Sequence, residues 1–262
     1  SLYKLVDMVL DVPSVVKTLA DNCHDRIFKI DWNRTQWHHG SDKQSNNDVA
    51  LDFLYDGQDY RLNTDQFVLT AGQGNEAILQ ELGVESTKMQ RRPLQHVMVK
   101  HHYPHKFYGH CLGAETTPRL TISSHPFDDT SQVWYLGGSL AEKGAELSSD
   151  EVIADAKKEL KELMPWIDLS EAQWATLPVD RAEPRQLNFA RPDKAFASTI
   201  KECPNVIVAW PTKLTLCPNL ADEVIEILGG KKIIASSGTV PDLHFLSTPP
   251  LALTPWQTAF GD

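Results

Sequence analysis

No segment of this chain stays apolar for anything near the ~20 residues that a bilayer-spanning helix needs, so no membrane span is expected. No charged-then-apolar leader opens it, and no signal peptide is expected. No stripe of Lys and Arg stands out: 25 basic residues face 35 acidic ones, for a net charge of −10. Nucleic acid is therefore not an expected partner, because neutralising phosphates takes clustered cations. Cysteine is scarce. Cys23, Cys111, Cys203 and Cys217 form no CxxC pair, and they read as small buried hydrophobes in a reducing, cytoplasmic compartment. Repeats and low-complexity blocks are lacking too. What remains is 262 residues, 41% hydrophobic and 23% charged, enough for a packed core in one large domain or two small ones. There is no initial Met; Ser1 leads straight into strand-like Leu2-Tyr3-Lys4-Leu5-Val6, which reads as a chain cut or processed upstream.

Hydrophobic periodicity gives the elements. Asp11 is placed to cap a helix running to about Cys23, with Pro13 in its first turn and Val12, Val15, Val16, Leu19 and Ala20 at helical spacing. Arg26 to Trp32 reads as a strand, and the polar residues 33–47 as a surface loop. Val49, Leu51, Phe53 and Tyr55 alternate with other residues, Asp56-Gly57 turns the chain, and Tyr60 and Leu62 return, a hairpin. Phe67-Val68-Leu69-Thr70-Ala71 and Val206-Ile207-Val208-Ala209-Trp210 are continuous apolar runs, each suited to a strand buried on both faces. They are expected as neighbours in one sheet. Between them, Leu94–Lys100, Phe107–Leu112, Arg119–Ser123 and Val133–Gly137 read as one antiparallel sheet. Ser148 and Glu151 predict a capping box on a helix with Val152, Ile153, Ala156, Leu160, Leu163 and Met164 on one face. Residues 174–193 are extended, Pro218 opens a helix through Leu228, and the last residues read as a wrapping tail. The fold class is α+β: an α/β remnant with an inserted antiparallel sheet.

The first buried run ends in Gly72-Gln73-Gly74, and Asn75 is placed to cap the helix that follows. A strand, a Gly-rich turn and a helix start form a place where backbone N–H groups can meet an anion, although a lone GxG more often marks a plain tight turn. His96, His101, His102, His105 and His110 crowd one β-rich stretch without acidic or Cys partners at ligand spacing. Surface or pocket histidines, not a metal site, are expected there.

Asn63-Thr64-Asp65-Gln66-Phe67-Val68-Leu69-Thr70-Ala71-Gly72-Gln73-Gly74-Asn75 resembles the internal flavin-contact strand of the FAD-dependent oxidoreductases related to D-amino-acid oxidase and glycine oxidase: an acidic residue, an apolar strand, then a small-Gly turn. Pro204-Asn205-Val206-Ile207-Val208-Ala209-Trp210-Pro211-Thr212-Lys213-Leu214-Thr215-Leu216-Cys217-Pro218 is similar to that family's carboxyl-terminal flavin strand, loop and closing helix. Arg181-Ala182-Glu183-Pro184-Arg185 and Arg191-Pro192-Asp193 are similar to the Arg/Pro-rich stretch preceding the closing strand. The resemblance covers most of residues 5–228.

It implies an incomplete FAD-binding domain carrying an inserted antiparallel-sheet substrate domain. Residues 1–93 would be a partial FAD-binding part, 94–190 the substrate domain, 191–230 the closing strand and helix, and 231–262 a tail. The GxGxxG fingerprint is absent, as is the acidic residue that would hold the ribose, so the amino-terminal dinucleotide-binding unit is expected to be missing. FAD is the implied cofactor of the intact protein and is not expected to be held by this chain alone. The implied cofactor contacts are Ala71, Gly72, Gln73 and Gly74 on one loop, and Pro211, Thr212, Lys213, Leu214 and Thr215 on the other. Lys213 would stabilise the reduced, anionic flavin, or else be a solvated loop lysine. Arg181, with Arg185 and Arg191 behind it, would grip a substrate carboxylate, or else make an ordinary ion pair; His101 and Tyr103 would line the substrate pocket. The implied activity is oxidation of a small amine, amino-acid-like or hydroxy-acid substrate by hydride transfer to FAD. The alternatives are a flavin-free binding or scaffold protein that keeps the fold, and a His-metal hydrolase.

Overall fold

The structure is a computed structural model that describes residues 3–6, 8–39, 48–187, 192–230 and 242–261. In chain order it runs through α1 (Val12–Asp21), β1 (Thr35–His39), β2 (Val49–Tyr55), β3 (Gln58–Leu62), β4 (Phe67–Leu69), α2 (Gly74–Glu81), β5 (Met89–His101), β6 (Tyr108–Cys111) and β7 (Leu120–Pro126). It continues through β8 (Gln132–Gly137), α3 (Ser139–Gly144), α4 (Ser149–Leu163), β9 (Gln173–Pro184), β10 (Phe196–Thr199), β11 (Val206–Trp210), α5 (Cys217–Gly230) and α6 (Pro255–Phe260). This is an α+β protein. Among the described residues, no helix is long and apolar enough to cross a membrane.

The chain divides into two compact units. One comprises Phe28–Arg92 and Asp180–Thr248. It contains two three-stranded sheets, ordered β1-β2-β3 and β10-β11-β4. The β2–β3 hairpin turns on Asp56 and Gly57, both at positive φ, the geometry whose twist suits a two-residue hairpin loop. In the second sheet β4 and β11 pair in parallel, with Phe67 opposite Val206 and Leu69 opposite Val208, although ~140 residues separate them. The two apolar runs are neighbours, as their composition predicts. Their side chains join Trp37, Leu51, Leu79 and Trp210 in one core. Helix α2 is tied to β1 by Glu81, which accepts the Trp37 N–H at 3.0 Å.

The other unit comprises Ser1–Ile27, Pro93–Val179 and Pro249–Asp262. Its five-stranded sheet is ordered β6-β7-β8-β5-β9. Val97, Val99, Leu120, Ile122, Trp134 and Leu136 pack from that sheet onto Val152, Ala156 and Leu160 of α4. Both halves of the predicted capping box are formed: the Ser148 hydroxyl accepts the Glu151 N–H, and the Glu151 carboxylate accepts the Ser148 N–H.

Several expectations need correction. Arg26–Trp32 is not a strand. Short 3-10 turns occupy His24–Arg26 and Trp32–Arg34, and the Asp31 carboxylate accepts the Asn33 N–H at 3.0 Å, a local bond that competes with a ladder. Part of the polar stretch 33–47 is strand β1, since Trp37 reaches the core and β2 supplies its hydrogen bonds; residues 40–47 lie outside the described ones. The short elements α3 and β10 have no periodicity to announce them. The tail carries α6, capped by Thr254 and Gln257. Of the cysteines only Cys203 is buried; Cys23 and Cys217 are exposed at helix ends, and Cys111 is intermediate.

Asn205 stitches the two small sheets together. Its carboxamide oxygen accepts the Val49 N–H and its amide nitrogen donates to the Val49 carbonyl, both at 2.9 Å. Asn205→Ala leaves a buried backbone donor and acceptor without partners, at about 1–3 kcal/mol each. The expected result in urea denaturation is a loss of about 3 kcal/mol, seen as a lower midpoint with unchanged slope. A midpoint like that of the wild type would show that water replaces the carboxamide.

Candidate functional site

Parallel pairing of β4 and β11 brings two loops to the same end of one sheet. In open α/β sheets, that carboxyl end is where ligands bind, because loops diverge there and leave a crevice. One loop is Ala71-Gly72-Gln73-Gly74 and the other Pro211-Thr212-Lys213-Leu214-Thr215. They are locked side by side. The Trp210 indole N–H donates to the Gly72 carbonyl at 3.0 Å. Asn75, expected as a helix cap, is instead fully buried, and Gln73 occupies the cap position. The Asn75 oxygen accepts the Ala71 N–H at 2.9 Å, while its nitrogen donates to the carbonyls of Leu69 and Ala209, each at 3.3 Å. Its carboxamide thus bridges both strands where their ladder ends.

The loops carry strain. Gly72 has φ +60, and no atom lies within 4 Å of where its Cβ would stand, so the turn faces open space. Thr212 also has φ 60, a left-handed conformation rare for a β-branched residue. Its hydroxyl donates to the Lys194 carbonyl at 3.0 Å, which helps to hold it. Lys213 is exposed and precedes the 3-10 turn Leu214–Leu216, whose Leu216 N–H returns to the Lys213 carbonyl at 3.0 Å. Arg181 is half-buried on β9, in the same unit as both loops. Two residues along that strand, Glu183 is 1% exposed; the Arg92 guanidinium lies 3.6 Å away and the Gln90 amide donates to it at 3.2 Å. Arg191 lies outside the described residues.

His101 and Tyr103 come together in the other unit. The Tyr103 N–H donates to His101 Nδ1 at 3.1 Å, so neutral His101 carries its proton on Nε2. The ring is 3% exposed and meets the Trp134 indole edge-on at 4.3 Å. Burial, helped by the neighbouring His102, pushes its pKa down to about 4. His101 shares its strand face with Val97 and Val99, the face that packs on α4.

The opposite face holds a row of side chains that single-strand reasoning misses. His96 stacks on Tyr135 at 4.5 Å, Tyr135 meets His125 edge-on at 6.4 Å, and His125 stacks on Trp256 of α6 at 4.2 Å. His125 Nε2 also shares a 2.9 Å hydrogen bond with the Ser123 hydroxyl. Burial pushes the Tyr135 phenol up to about 12 and lowers His125, against which Asp11 acts weakly. At Gly137 a Cβ would stand 2.7 Å from the Thr121 hydroxyl and 3.2 Å from the His96 ring. The signal lay in the register that sets Tyr135 opposite Met98, which no single strand displays. The five crowded histidines scatter. His101 is in the core, His96 is on the other face, and His102 bonds the Thr130 carbonyl at 3.0 Å. Among the described residues no group of three or more His, Cys, Asp or Glu is arranged to hold a metal ion.

The depressed His101 pKa has a stability consequence. Between its unfolded value of 6.5 and about 4, the unfolded chain binds the extra proton, so stability is complete above pH 6.5 and falls as pH drops toward 4. His101→Gln should flatten this part of a stability–pH profile measured by urea midpoints. An unchanged profile would assign the acid sensitivity to another group.

No family model matches the chain. A curated protein of Pseudomonas aeruginosa, named a probable FAD-dependent oxidoreductase, is 44% identical over 261 residues, which is 99% of this chain and 63% of that protein. The chain thus spans less than two thirds of the curated relative's length. The crystal structure of an FAD-dependent oxidoreductase from Pseudomonas aeruginosa matches with a TM-score of 0.83 at 43% identity, over 98% of this chain and 67% of that one. An iminodiacetate oxidase structure from Chelativorans sp. gives a TM-score of 0.48 at 14% identity, over 83% of this chain and 53% of that one. With more than two fifths of its residues identical across nearly its whole length, the chain belongs to the family of these Pseudomonas FAD-dependent oxidoreductases.

Proposed function

We propose that the chain is the substrate-domain and closing part of a flavin-dependent oxidoreductase, related to D-amino-acid oxidase and glycine oxidase, that oxidises a small amine, amino-acid-like or hydroxy-acid substrate. The observation that carries this reading is the pair of loops pinned together by Asn75 and Trp210 at the carboxyl ends of β4 and β11. FAD, when bound, accepts the hydride.

The loops suit the ring end of that cofactor. There is open space over Gly72, and Gln73, Lys213 and Thr215 are exposed on the same two loops, so polar donors are free to meet a ligand there. They do not suit its pyrophosphate. The Gly74, Asn75 and Glu76 N–H groups that open α2 already bond the carbonyls of Ala71, Gly72 and Gln73, and the 262 residues contain no GxGxxG turn. In this reading the phosphate half of FAD would be held by residues other than these two loops.

Within this scheme the residues that would hold the ring are Ala71, Gly72, Gln73 and Gly74 on one loop and Pro211 to Thr215 on the other. Lys213 would supply a cation beside a bound ring, and Arg181 would bind a substrate carboxylate as a fork. Within the other unit, buried His101 accepts the Tyr103 N–H and holds that backbone in place, which leaves Tyr103 as that unit's own candidate for contact with substrate. The four cysteines, none in a CxxC pair, suit a reducing cytoplasm.

Two outcomes are expected. The 262-residue chain alone should be nearly colourless, without a flavin band near ~450 nm, and a longer chain with a phosphate-binding turn should be yellow. A stoichiometric yellow species from this chain alone would falsify the division of the cofactor. In the longer enzyme, Lys213→Ala should lower turnover by ~10-fold or more with little change in stability, because the side chain is exposed. Arg181→Ala should instead raise KM for a carboxylate substrate. Wild-type kinetics in both variants would strip these residues of their roles.

A further inference from the structure

Among the described residues, left-handed backbone falls mostly on glycine: Gly57, Gly72, Gly83 and Gly138. Asp56 and Thr212 share it. Asp56 lies in the tight turn of the β2–β3 hairpin, which calls for positive φ and where Asp is tolerated. Neither reason applies to Thr212. Its Cβ is branched, so it crowds the neighbouring backbone more than most side chains would at φ 60. On the facing loop, the residue with φ +60 is a glycine, Gly72.

The surroundings hold Thr212 in this conformation. The preceding Pro211 has a ring that restricts its own φ. The Lys213 N–H donates to the Pro211 carbonyl at 2.6 Å. Such an i to i+2 closure with positive φ at the middle residue is the strained form of the γ-turn. The Thr212 hydroxyl donates to the Lys194 carbonyl at 3.0 Å, which ties the loop to the chain just before β10. Upstream, Trp210 is clamped by its indole bond to Gly72. Downstream, the Leu216 N–H donates to the Lys213 carbonyl at 3.0 Å. The exposed Lys213 side chain thus leaves a backbone that is fixed on both sides. Glycine at 212 would relieve the strain, but it would also remove the hydroxyl that anchors the loop. Strain of this kind persists only where the surroundings over-determine it, and it gathers where a functional group must be held in place.

We propose that Thr212 is the positioning residue for Lys213. Its left-handed backbone and its hydroxyl bond to Lys194 fix the point from which the ammonium reaches a bound ring. The role rests on the flavin reading above. A lysine on a loose loop spreads its charge over many positions, whereas one held at its Cα keeps the charge near one, where it can favour electron uptake by the ring.

The 262-residue chain tests the strain. Thr212→Val keeps the branched Cβ and loses the hydroxyl; Thr212→Gly loses both. On extended backbone valine is the more stable choice, but at 212 the glycine variant should have the higher urea midpoint. A valine variant at or above the glycine variant overturns the proposal. The longer enzyme tests the positioning. There Thr212→Ser, which keeps the hydroxyl, should behave as wild type. Thr212→Gly should lower turnover toward the ~10-fold loss expected of Lys213→Ala. It should also lower the flavin reduction potential by ~30 mV, the two-electron equivalent of a ~10-fold change. Combining Thr212→Gly with Lys213→Ala should do no more than Lys213→Ala alone, because both act through one charge. A serine variant as impaired as the glycine variant overturns the proposal. So does wild-type potential in Thr212→Gly beside a lowered one in Lys213→Ala, and that result leaves the flavin reading standing. Wild-type potential and turnover in Lys213→Ala overturn both.

Discussion

The carboxamide of Asn75 has no water to fall back on. Fully buried, it must find its partners inside the protein, and it finds them on two strands that meet only through tertiary structure. A strand ladder satisfies backbone groups only as far as the strands stay extended. Beyond Leu69 and Ala209 the chains part, and the side-chain amide takes over the pairing. Because the amide is planar and its three bonds point in fixed directions, it sets both the spacing of the loops and the sharpness of the turn at Ala71. The left-handed Gly72, the Trp210 bond to its carbonyl and the start of α2 all follow from that geometry.

Much of the architecture was legible because the underlying signals are local. The Phe67–Ala71 and Val206–Trp210 runs were found because a strand covered on both faces has no use for polar residues, and their pairing followed from sharing that need. Asp56-Gly57 and the Ser148–Glu151 box are short motifs whose chemistry is complete within four residues. What stayed illegible depends on distant partners. Thr35–His39 looks like a loop by composition and becomes a strand only because β2 offers hydrogen bonds and the core takes Trp37. Asn75 reads as a cap, since nothing in its neighbours reveals that Ala209 will stand beside it.

The same division runs through the candidate site. Both loops could be named from their residues, because Gly-rich and Pro-rich turns after buried strands are visible in one dimension. The His96–Tyr135–His125 row could not. It draws on three strands and exists only in their register, whereas the run His101-His102-Tyr103-Pro104-His105 that catches the eye sends its rings to different surroundings.

The close approach at Gly137 constrains its neighbours as well. The His96 ring and the Thr121 hydroxyl occupy the space that any side chain at 137 would need. The three positions therefore share one volume. A methyl group at 137 would make the Thr121 hydroxyl rotate away and the His96 ring give by a few tenths of an ångström, so a larger residue there fits only beside smaller ones at 96 and 121.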